Sequence, residues 1–250
     1  MSRLMYSAED TLMTAAELAA VPTPASMGRF HQPVGFGDFL ELIKLRLDRV
    51  GITINHEEFV TTADNQTFFG AMELGLDGFQ RDDMVITLGV RGSHNQKVPR
   101  AICLGNRVIV CSNLCFNGDM ANLSTKQTTN VWSRLPGMVD QAVAQIPALA
   151  QREEERVDAY KMFGLKPRVG DAALVELTRR GAMTSAQLGR AIQEWDRPSF
   201  EEHTDSGFSA WRLLNAVTEV QKPTGETCNM DLVRSRTART VSFLDEVVGL

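Results

Sequence analysis

From Ile52 to Cys111 the chain runs through short segments rich in β-branched and aromatic residues that lean toward a period of two, joined by connections too short to hold a helix. Ile52 and Ile54, Phe59 to Thr62, Phe68 to Leu74 and Met84 to Val90 read as strands, with Asp64-Asn65 and the run Gly92-Ser93-His94-Asn95 as turns. Val98 to Leu104 and Arg107 to Cys111 read as a further pair closed by Gly105-Asn106, because both residue types tolerate positive φ. A parallel sheet needs a long crossover between strands, and these connections lack the length. The expected core is an antiparallel sheet over about residues 52–116.

Helical periodicity brackets that sheet. Asp38 is expected to cap a helix whose broad apolar face is Phe39, Leu40, Ile43, Leu45, Leu47 and Val50, stopped by Gly51. Upstream, Ser7 and Asp10 open a short helix ending near Ala20, and the prolines and glycines between Pro22 and Gly37 predict an extended arm over residues 21–36. Downstream, Val131 to Met162 carries a helical pattern interrupted by Pro136 and Pro147, which predicts a kinked or segmented helix ended by Lys166-Pro167. Asp171 to Arg180, Ser185 to Trp195, Gly207 to Val220 and Asp231 to Val248 read as further helices. The fold class is α+β: an N-terminal helix and arm over 1–36, then one domain over 37–250 with a helical C-terminal half packed against the sheet.

Several chemistries find no support. No G-x-G-x-x-G follows a strand and no P-loop occurs, and the adjacent carboxylates Glu57-Glu58 and Asp82-Asp83 diverge on a strand. Cys111, Cys115 and His94 make neither a full ligand set nor a nucleophile with a matched base, so no metal, cofactor or catalytic residue is expected. The four cysteines read as reduced residues in a chain of 250 with an ordinary core. No apolar run has membrane-spanning length, and Glu9, Asp10 and Glu17 stand where a secretory leader would be basic and apolar, so a cytoplasmic protein is expected.

The net charge of −5 argues against wholesale coating of nucleic acid, yet residues 81–134 hold seven Lys or Arg against three Asp or Glu. Arg91, Ser93, His94, Asn95 and Lys97 crowd one turn, which either binds an anion or is simply polar, with Ser93, His94 and Asn95 bonding to its backbone. Asn113, Asn117, Thr125, Thr128, Thr129 and Asn130 follow in a polar loop beside Lys126 and Arg134, where Thr129 or Asn130 suits a helix N-cap. With Arg100 and Arg107 these residues form a candidate nucleic-acid or anion surface at a sheet edge. Trp211, Asn215 and Glu219 recur along one helical stripe, expected to pin the helical part to the sheet.

Four blocks carry a resemblance. Ser93-His94-Asn95, Val110-Cys111-Ser112-Asn113-Leu114, Lys126-Gln127-Thr128-Thr129-Asn130-Val131 and Ser209 to Glu219, followed by Arg236-Thr237, resemble in order and spacing the conserved blocks of the DUF932 family of phage- and plasmid-borne proteins. Asn95 stands where relatives often have Asp, and Gln127 where they often have His. The resemblance covers about residues 50–245 and implies a setting, mobile genetic elements, without implying a mechanism. Two functions follow as expectations. One is a non-catalytic phage or plasmid accessory protein binding DNA or RNA through a basic sheet edge. The other is a counter-defence factor that engages a host protein through a surface patch, which the acidic overall charge suits. The oligomeric state is open.

Overall fold

A sheet of seven strands in six lanes forms the centre of the computed structural model, which describes residues 10–79, 81–108, 114–116, 123–222 and 230–250. Strands β1 (Thr11–Met13), β2 (Thr53–Thr61), β3 (Thr67–Gly75), β4 (Met84–Ser93) and β5 (Arg100–Val108) lie side by side in chain order, and every pairing is antiparallel. Two short strands share the next lane: β6 (Leu114–Phe116) lies against Gly105–Arg107, and β7 (Leu123–Thr125) against Arg100–Ile102. The expected antiparallel α+β architecture is what the chain adopts.

The pleat sends alternate side chains to opposite faces. Phe68 and Met72 of β3, Ile86, Leu88 and Val90 of β4, and Ile102 and Leu104 of β5 share one face by register and are buried. Helix α2 (Phe36–Arg49) covers this face with Phe36, Phe39, Leu40, Ile43 and Leu47, and the Phe36 and Phe68 rings meet with centroids 4.7 Å apart. Beside it runs α3 (Val131–Met162), from which Val139, Val143, Ile146 and Ala150 enter the same core. Then come α4 (Pro167–Arg179), α5 (Ser185–Asp196), a 3-10 turn at Glu201–Thr204, α6 (Ala210–Gln221) and α7 (Met230–Val248). Trp195 is their fully buried centre; its indole donates to the Pro167 carbonyl at 3.1 Å. No helix among the described residues is long and apolar enough to cross a membrane.

Four local expectations need correction. Gly105-Asn106 is no turn: β5 runs unbroken through both, and the buried Asn106 donates from Nδ2 to the Glu153 carboxylate of α3. Pairing on both sides outweighs the local turn preference of a Gly-Asn dipeptide. Helix α3 is not segmented: it runs as one element of 32 residues through Pro136 and Pro147, and a continuous buried stripe holds it on either side of each proline. Helix α2 starts at Phe36 with Gly35 as N-cap, which places Asp38 inside the first turn. The N-terminal helix is confined to α1 (Ala15–Ala19), opened by a capping box in which Thr14 N–H donates to Glu17 at 2.8 Å, while the residues before it pair with β2 as an edge strand.

Candidate nucleic-acid interface

Three segments distant in sequence converge at one end of the sheet. Residues 26–34 of the arm lie along 126–129: the Gln32 amide donates to the Gln127 carbonyl at 3.1 Å, the Thr129 amide to the Phe30 carbonyl at 3.1 Å, and His31 bridges Thr128. The arm closes on itself where the Met27 amide donates to His31 Nδ1 at 3.0 Å and the His31 amide to the Gly28 carbonyl at 3.1 Å. Gln127 fastens the third segment. Its buried side chain accepts from the Val34 amide at 2.7 Å and donates to the Ser93 carbonyl at 2.7 Å, tying the arm to the end of β4. Ser93 and Asn95 hold the turn after β4: Ser93 Oγ accepts from the Val98 amide at 2.9 Å, and Asn95 Oδ1 accepts from the Lys97 amide at 3.1 Å.

Between these segments lies a groove of about 570 Å³ lined by Met27 to His31, Gln96 to Pro99 and Lys126 to Thr128. Arg29, Lys97 and Lys126 are exposed on its walls, and no carboxylate is among the lining residues. Arg134, in the first turn of α3, adds a fourth cation by donating to the Thr128 hydroxyl at 3.2 Å. Asp64, held below the usual carboxylate range mainly by hydrogen bonds from Thr62 and the Gln66 amide, lies close enough to feel the Lys97 charge. Phe30 is 68% exposed, with the Arg29 guanidinium 5.1 Å from its ring centroid.

Beneath this surface lies a cation of a different kind. Arg100 opens β5 directly after the groove residues Val98 and Pro99, and its side chain is completely buried. Its Nη2 donates to the Val34 carbonyl, and its guanidinium carbon sits 4.6 Å from the Phe36 ring centroid and 5.8 Å from that of Phe68. Gly92 makes the space, since a Cβ there would come within 2.1 Å of Arg100 Nη1. Burial lowers the Arg100 pKa to about 9. His94, also buried, stacks on Phe36 with centroids 3.8 Å apart; burial, and then Arg100, lower its pKa to about 4.

The proposed surface residues therefore separate. Lys97 and Lys126 line the groove, and Arg134 reaches its lining residue Thr128 from α3. Ser93, His94 and Arg100 form its buried support and cannot touch a ligand at the surface, because the strand end on which they sit is covered by the arm. Arg91 belongs elsewhere: it pairs in register with Ala101, so it points to the sheet face opposite Arg100, where burial and then the Arg234 charge lower its pKa. Arg107 is placed in β5, but its side chain, and all of Asn113, Cys111 and Asn117, lie outside the described residues. Asn130 takes the N-cap position of α3 without a side-chain cap. Trp211 and Asn215 are buried on α6, which packs against α3, α4, α5 and α7, and neither lines the groove. The residues absent from the sequence reading are Arg29 and Phe30; a basic residue next to an aromatic one, within a segment expected to be extended, was the available signal.

Among the described residues no group of His, Cys, Asp and Glu is arranged to hold a metal ion, and burial pushes the Cys103 thiol up to about 11, away from nucleophilic use. What the groove offers is exposed cations, an aromatic face and a pinned backbone. No protein-family model, curated protein or solved structure matches the chain.

Proposed function

We propose that this chain is a non-catalytic nucleic-acid-binding protein whose contact surface is the groove between the arm, the β4–β5 turn and the loop before α3. The mobile-element setting implied by the DUF932 resemblance is part of the same proposal. The observation that carries it is the convergence of Arg29, Lys97 and Lys126 on a concavity without a lining carboxylate, with Arg134 bonded to its lining residue Thr128, in a chain of net charge −5. A polyanion is the ligand class that such a local excess of exposed cations favours, since each phosphate neutralised releases condensed counterions.

Fluorescence anisotropy with a labelled DNA oligonucleotide tests this directly. Four phosphate contacts give a salt slope near −2.8 on a single strand, so affinity should fall about 50-fold between 50 and 200 mM salt. Lys97→Ala with Lys126→Ala should weaken binding and reduce the slope by about 1.4 while leaving the thermal midpoint nearly unchanged, because both side chains are exposed. Absence of binding at 50 mM salt overturns the proposal.

A further inference from the structure

We infer that the groove takes single-stranded nucleic acid with little regard to sequence, stacking a base on Phe30; this deepens, and rests on, the proposed nucleic-acid reading. Phe30 is the most exposed aromatic ring described, at 68%, yet its backbone is fixed: its carbonyl accepts from the Thr129 amide, and the next residue bridges Thr128. The chain therefore presents an apolar face to water from a pinned position. Arg29 lies over that ring, and Met27, 55% exposed, lines the same groove. A flat apolar face next to a guanidinium, with two lysines across a groove of about 570 Å³, matches a nucleotide in both halves of its chemistry. The base face stacks, and the phosphates meet cations.

A duplex would use only half of this surface, because its bases are already stacked on one another and only its backbone is within reach. Tolerance of sequence follows from the lining itself. Both ends of the Gln127 amide are spent on Val34 and Ser93, and the Thr128 hydroxyl, which accepts from Arg134, keeps a freely rotating O–H that any base acceptor satisfies. Gln96 Nε2 is turned to Met27 Sδ at 3.4 Å. No lining carboxylate is present to accept from an exocyclic amine.

The test compares a labelled 12-nucleotide oligothymidylate with a 12-base-pair duplex at 50 mM salt, on the full chain and on Phe30→Ala, Phe30→Trp and the double lysine variant. The wild-type chain should bind the single strand more tightly. In Phe30→Ala the ratio of single-strand to duplex affinity should fall about 5- to 150-fold, as expected for one lost base stack, with the salt slope retained. Phe30→Trp should restore the ratio, and an unchanged thermal midpoint for each variant excludes unfolding as the cause. Equal affinity for the two probes, or an unaltered ratio in Phe30→Ala, overturns stacking while salt-dependent binding keeps the broader proposal standing. Binding of neither probe sinks both, and would turn attention to Met27 and Phe30 as a protein-docking patch.

Discussion

Arg100 and His94 are ionisable groups that the fold holds in the core with no carboxylate paired to them among the described residues, and they show how a single residue can be mistaken for surface. In sequence both sit in a polar turn region and read as ligand contacts; in the structure Phe36 and Phe68 face Arg100, and His94 lies flat on Phe36. Nothing local to residues 93–100 reveals this, because the rings that bury them come from α2 and β3. Burial has a pH signature. Folded His94 stays neutral down to about pH 4, whereas the unfolded chain takes up that proton near pH 6.5, so the unfolded state binds more protons between those values. Stability should therefore fall as pH drops from 6.5 to 4, by an amount on the order of 3 kcal/mol for this group alone. His203, whose pKa burial also lowers, acts in the same direction. His94→Phe keeps a ring on Phe36 and removes the titration, so urea midpoints at pH 4.5 and 7 should lie closer together in the variant than in the wild type. An unchanged gap would place the pH dependence elsewhere.

At the scale of elements, strands and helices followed from local pattern wherever burial and local preference agree. The strand expected over Phe68 to Leu74 lies within β3, and that expected over Met84 to Val90 within β4, because alternation there coincides with a core face. The misreadings sit where a strong local signal met a stronger tertiary one. Gly105-Asn106 invites a turn, yet both residues pair with β4 on one side and β6 on the other. Pro147 invites a break, yet Val143, Ile146 and Ala150 continue one buried face past it. The cost of that proline remains in the helix: it has no N–H to give the Val143 carbonyl, and its own ring is exposed. Pro147→Ala should accordingly raise stability by about 1–3 kcal/mol, read as a higher urea midpoint at constant m-value. A loss of stability would show that the proline sets a bend the core needs.

Over the whole molecule, buried residues from Leu18 in α1 to Leu244 in α7 form one contiguous cluster. Helix α1 is thus part of the core through Leu18. Leu18→Ala should destabilise the chain by about 2–5 kcal/mol. The shift should appear in the tryptophan fluorescence transition as well as in far-UV circular dichroism, although all three tryptophans lie beyond residue 130. A tryptophan transition left in place would mean that the helical half unfolds independently. The sequence by itself determined the antiparallel sheet, the helices around it and the regional excess of cations, because alternation, periodicity and charge are local properties of the chain. Only the tertiary structure decided which of those cations share a surface. Strand parity sent Arg91 and Arg100 to opposite faces, and Gln127 drew in an arm 93 residues away in sequence, supplying Arg29 and Phe30 to the groove. Parity and long-range pairing are settled by burial across the whole sheet, which no short stretch of residues encodes.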